Sequence, residues 1–298
     1  LIGDHTEVSD ARSALSNPKS RLGAEISWLL GVSPSRAKAL IEKLRSNPCE
    51  IYGDLGVPPL AAANLIASAL YHMHECTDTD VHVACEELAD HFESLDLASI
   101  RRDLNEDRQV AGFPQILDEA VIESAVEGRR RYYVAQMLIG LDRLPTEELV
   151  STVTELTETA TDNGESHAPM LISDLVDAYD ARTSTFLHDE SSNILELIEE
   201  TQAAADAGAA PNAIDQLTDR ILERIQHWDS IAQPIQLIKQ SKGLPHDGSI
   251  QLATTMRSLA IHLFNKHDYL DIAKKISAAL KEAFAEVPDI VVLISTEN

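Results

Sequence analysis

The chain has 298 residues, 49 of them acidic and 24 basic, and a formal net charge of −25. That length suits two domains, each large enough for its own hydrophobic core. So strong an acidic excess argues against nucleic acid or an anionic membrane surface as a partner, because both need clustered Lys and Arg.

Apolar residues fall at helical spacing almost throughout, so the fold expected is all-α, a two-part helical bundle or short irregular array without a sheet. Asn17-Pro18 marks a stop and restart between apolar faces at Ser9–Ser16 and Arg21–Leu30. Ser33-Pro34 places a cap residue before a first-turn proline, and Asn47-Pro48 ends that helix. Pro58-Pro59 opens an Ala-rich stretch reaching Met73. Thr77–Thr79 supply caps for a helix with Val81, Cys85, Leu88 and Phe92 on one face. Pro114–Ile139 reads as one long helix weakened at Gly128.

Pro145-Thr146 starts the next helix. Thr161–Ser166 is the most loop-like segment, which sets expected domains at 1–162 and 163–298. Beyond it, Leu171–Phe186 and Ile194–Ile198 suggest two helices closed by Gly208. Pro211 opens another, which Pro234 should kink or break. A hairpin over Ile250–Phe284 ends the helical part, and Ile290–Ile294 alone has strand-like composition.

Charge is concentrated. Residues 51–100 hold nine acidic and no basic side chains, and residues 151–200 hold twelve acidic against one basic. Such faces suit solvation, or a basic protein partner approached under electrostatic steering.

The first residue is Leu1, and its surroundings suggest a cut into a longer chain. No signal-peptide pattern or apolar run of membrane length is visible. Cys49, Cys76 and Cys85 form no CxxC pair, which suits reduced thiols and a cytoplasmic setting. His72 and Cys76 share a helical face at i and i+4. With His82 and Cys85 they form the candidate metal set, to which His91 could add. The alternative for Cys76 and Cys85 is burial as small hydrophobes. Leu30–Leu40 looks like the turn of a helix-hairpin-helix DNA module, with Ser33 where such turns carry glycine. Arg129-Arg130-Arg131-Tyr132-Tyr133 combines cations and aromatics, but in an acidic chain its expected use is pairing with acidic side chains. Phosphate-cradling and nucleophile motifs are absent, so no enzymatic activity and no cofactor are expected.

Two stretches carry a resemblance. Ala11–Glu25, with its Leu-Ser-Asn-Pro-Lys-Ser-Arg-Leu core, resembles the last helix and exit of a bacterial J-domain. Trp228–Ile238, Arg257–Asp268 and Phe284–Pro288 together are similar to the helical region downstream of the J-domain in a group of bacterial J-domain-containing proteins. The resemblance implies a non-enzymatic interaction module of a co-chaperone, working with a seventy-kilodalton heat-shock ATPase chaperone or its clients. The His-Pro-Asp tripeptide that stimulates that ATPase is missing from this chain, so it should not stimulate the ATPase itself. Trp228, Phe264 and Tyr269 are expected to pack the bundle. As a binding surface, Trp228, Gln233, Arg257, Asn265 and Asp268 would edge a groove for a peptide or helix.

Overall fold

The computed structural model describes residues 13, 15–53 and 55–284. Among these it contains eleven α-helices and no strand. The β-like run Ile290–Ile294 and the Val287-Pro288 end of the resemblance lie outside the described residues. The chain divides into two compact units, one formed by residues 1–152 and 169–175, the other by residues 153–168 and 176–298.

The first unit begins with α1 (Pro18–Ile26), α2 (Pro34–Ser46) and a 3-10 turn (Pro48–Glu50). There follow α3 (Pro59–His72), α4 (Asp78–Glu93), α5 (Leu97–Ala111) and α6 (Glu119–Leu141). Local chemistry sets the starts. Asn17 Oδ1 accepts from the amides of Lys19 and Ser20, with Pro18 at the first helical position. Thr77 and Asp80 close a capping box at α4. α6 is the central element and packs against α1, α3, α4 and α5. α3 is buried nearly all round, because its alanines let neighbouring helices approach on several sides.

Helices α7 (Thr146–Thr161) and α8 (Met170–Asp206) each run through a unit boundary. The second unit continues with α9 (Pro211–Ser241), α10 (Asp247–His267) and α11 (Leu270–Ala283). Its core holds Trp228, Ile221, Ile225, Met256, Leu259, Ile276 and Phe284. The Trp228 indole donates to the Leu187 carbonyl at 3.0 Å and lies beside the Phe284 ring.

Two expectations for this region change. The polar stretch between Phe186 and Ile194 does not end a helix; α8 is continuous over 37 residues. The hydroxyls of Thr183, Ser184, Ser191 and Ser192 bond carbonyls three or four residues back, so they satisfy themselves within the helix. Nor does Pro234 break α9. Pro234 is buried, and the Ile231 carbonyl in the preceding turn accepts from the Tyr179 hydroxyl at 3.0 Å.

The cysteines also differ from their expected state. Cys49, in the 3-10 turn, is joined to Cys76, just beyond α3, across a Cα separation of 5.8 Å. They stand 27 positions apart in sequence, and packing of the 3-10 turn against α3 brings them together. A disulfide is typical of oxidising compartments, so the cysteines no longer argue for a reducing one. No described helix is long and apolar enough to cross a membrane.

Candidate functional site

In the first unit a groove of about 800 Å³ lies between α1 and α6. Pro18, Leu22 and Gly23 line it from α1; Ala120, Val121, Ser124, Ala125 and Gly128 line it from α6, with Ile116 at one end. A Cβ added to Gly23 or Gly128 would meet nothing within 4 Å. Glycine inside a helix costs roughly 1 kcal/mol relative to alanine. Neither glycine is repaid by packing among the described residues. Val121 is 43% exposed along the same wall, so part of the apolar lining is open to solvent.

The walls are fixed from behind by a saturated polar hub. Asn64, 3% exposed on α3, donates through Nδ2 to the carbonyls of Ile26 and Trp28, both at 2.9 Å. Its Oδ1 accepts from Arg129 at 2.6 Å and from the Tyr133 hydroxyl at 2.8 Å. All four hydrogen-bonding positions of the amide are therefore in use. The hub ties the end of α1 to the middle of α6. Arg129 also stacks over the Tyr132 ring at 4.1 Å and reaches Ser27 Oγ at 3.2 Å. Burial pushes the Tyr133 phenol above its ordinary pKa, so it remains a proton donor.

Arg108, almost fully buried on α5, bonds Glu25 at 2.6 Å and the Pro114 carbonyl at 2.7 Å. The charged residues lining the groove are Lys19, Arg108 and Arg129, all cationic in a strongly acidic chain. Both arginines are held by partners in the chain, so they shape the walls and are not left to orient a small polar ligand.

The metal set proposed from spacing is not brought together as a site. Cys76 is consumed by the disulfide, and Cys85 is buried in the core, where desolvation pushes its thiol up to about 12. A thiol so shifted is no ready thiolate ligand. His72 is exposed, edge-on to the Tyr71 ring, and His82 and His91 are half-buried on α4. Among the described residues, donor atoms gather within 4.8 Å in two other groups, Cys49/Cys76/Asp80 and Asp206/His262/His267. Both sulfurs of the first are in the disulfide.

Of the residues expected to edge a partner groove, Trp228 is 1% exposed and belongs to the core. Gln233 is half-buried and donates to Glu158 at 3.1 Å, and Arg257 is half-buried on α10. Asn265 is exposed, and Asp268 is the left-handed C-cap of α10 at φ 55°. Phe264, expected to pack, is 45% exposed. These residues do not form one surface, because burial of Trp228 removes its centre.

The remaining basic motifs are used internally. Arg130 makes a two-pronged contact to Asp174 at 2.5 and 2.6 Å. Arg36 of the helix-hairpin-helix-like turn donates to the Leu55 carbonyl at 2.8 Å, and Lys38 faces Glu42 at 3.9 Å. His246 and Ser249 lie 2.6 Å apart, the spacing of a base and nucleophile, but Ser249 is fully buried and closed to substrate. No family model, curated protein or solved structure matches the chain.

Proposed function

We propose that the chain is a non-enzymatic protein-interaction module of co-chaperone type, which seats an amphipathic helix of a partner in the α1/α6 groove. The observation that carries this reading is the pair of mid-helix glycines, Gly23 and Gly128, bordering one groove with open space over each. Small residues at four-residue intervals on α6, Ala120, Ser124 and Gly128, leave a smooth face against which another helix backbone can lie closely. The cationic lining favours a helix with acidic residues flanking its apolar stripe. All of α1 but its last residue also lies within Ala11–Glu25, the stretch that resembles the exit of a J-domain. One wall of the groove is thus built from residues that carry the resemblance.

The test is direct association between the purified chain and a bacterial seventy-kilodalton heat-shock ATPase chaperone, measured by titration calorimetry. Saturable binding is expected, at least tenfold weaker for Gly128→Leu, which places a bulky side chain in the groove. The chain alone should leave the ATPase rate unchanged. Absence of association, or equal binding by Gly128→Leu with unaltered circular dichroism, overturns the reading.

A further inference from the structure

In the second unit, the C-terminus of α8 meets the end of α10. Asp206, the last residue of α8, presents Oδ1 to His262 Nε2 at 3.0 Å and to His267 Nε2 at 2.9 Å. Two imidazole nitrogens therefore point at a single carboxylate oxygen. The histidines are five residues apart, which would normally place them on diverging helix faces. Their convergence depends on the position of His267 in the last turn. Asp268 caps α10 in the left-handed conformation, with its amide bonded to the Phe264 carbonyl and that of Tyr269 to the Leu263 carbonyl. This closing turn brings the Tyr269 ring flat against His267 at 5.7 Å, and the Tyr269 hydroxyl donates to the Ala209 carbonyl. His267 is thus held between its own helix and a ring anchored on the far side of the cluster.

The contact is more than a surface ion pair needs. Both histidine side chains are about four-fifths buried, at 18% and 19% exposure, while Asp206 is 47% exposed and keeps an open side. Zinc-class ions bind nitrogen and oxygen at about 2.0–2.2 Å, so neighbouring ligands around one tetrahedral ion lie about 3.3–3.6 Å apart. The N···O separations of 2.9 and 3.0 Å fall a few tenths of an ångström short of that spacing. A small outward movement of the exposed carboxylate would admit the ion.

We propose that Asp206, His262 and His267 form a binding site for a divalent transition-metal ion of the zinc class, completed by water on the open side of Asp206. Two imidazoles and one carboxylate suit zinc, nickel or cobalt; they do not suit calcium or magnesium, which take all-oxygen shells. Binding moves the Nε2 proton of each ring to Nδ1, leaving Nε2 as the donor to the metal. Lys266 Nζ, 3.9 Å from Asp206 Oδ2 and 61% exposed, supplies the positive charge beside the carboxylate when the ion is absent and can swing into solvent when it binds. The ion would clip the end of α8 to residues 56 and 61 positions further along the chain. Its role is structural, holding the α10–α11 turn against α8.

Zinc titration of the full chain, under non-reducing conditions with a chromophoric chelator as competitor, tests the site. One equivalent should bind and raise the thermal midpoint of the second unit. His262→Ala and Asp206→Ala should each weaken binding at least tenfold, while His72→Ala, in the first unit, should leave it unchanged. A ring-nitrogen NMR spectrum of the wild-type chain keeps the test independent of how the variants fold. Zinc should shift the Nε2 resonances of His262 and His267 and no others. No binding, binding undiminished in both folded variants, or shifts confined to other histidines would overturn the proposal.

Discussion

Replacing Asn64 with leucine should be among the most damaging single changes in the first unit. The side chain makes three bonds to neutral groups and one to a guanidinium. Neutral bonds contribute about 1 kcal/mol each and a charged one about 1.5–3 kcal/mol, which sums to about 5 kcal/mol. Arg129 and the Trp28 carbonyl are only partly buried and can recruit water, so the expected loss is about 3–5 kcal/mol. Tyr133→Phe provides the internal comparison. It deletes a single bond from a fully buried hydroxyl, and should cost about 1 kcal/mol. Because the chain has two units, global unfolding is not a clean two-state measurement. Amide hydrogen exchange read on peptides from α3 and α6 reports the stability of the first unit directly. If Asn64→Leu lowers protection there no more than Tyr133→Phe does, the amide is not the hub described, and the groove walls are held by packing alone.

Removing the Cys49–Cys76 bridge should destabilise the first unit by about 3.6 kcal/mol on the chain-entropy estimate for a loop of this length. A thiol assay in denaturant should find one reactive cysteine before reduction and three after; three before reduction refutes the bridge. Gly128→Ala should stabilise α6 by up to about 1 kcal/mol. The same change at Gly140 should destabilise by about 1 kcal/mol, since its Cβ would come 2.9 Å from the buried Leu70 side chain. Equal shifts in thermal midpoint for the two alanine variants would show that the groove glycine is not open. His246, desolvated beside Trp228, has its pKa lowered from 6.5 to about 4. A histidine depressed in the folded state stabilises fully above about 6.5 and progressively less as pH falls towards 4. Urea midpoints should therefore fall through that window by an amount equivalent to about 2–3 kcal/mol, and His246→Phe should flatten the decline. An unchanged profile would contradict the burial of the ring.

The helices were legible where the signal is local. Asn17 before Pro18, Thr77 with Asp80, and Gly208 before Pro211 each act within a few residues, and the structure places helix ends at all three. Continuity of α8 was less legible, because serine and threonine serve as readily inside a helix, bonded backwards, as at its ends. Pro234 misleads for a related reason. It sits buried inside the helix, among neighbours that the local sequence does not show. The sites were almost invisible. Asn64 reads as one polar residue in an alanine run, and nothing in the sequence ties it to Arg129 and Tyr133. Asp206 lies in another alanine-rich stretch, far from both histidines it faces. The disulfide joins cysteines whose spacing matches no motif, since packing of the 3-10 turn against α3, and not a short loop, sets their distance. Pairings made by tertiary packing leave no periodic trace.

The burial of α3 has a consequence for how the protein is made. Ten of its fourteen residues are enclosed, and the helices that enclose it, α4 and α6, come later in the chain. α6 ends roughly 70 residues after α3, and at about 5–20 residues per second a ribosome needs roughly 3–14 s to supply it. During that interval the emerging chain carries a helix that is apolar on nearly every side, and its cover stays incomplete until α6 is made. The following fifty residues are among the most acidic of the chain and keep the nascent segment in solution while it waits.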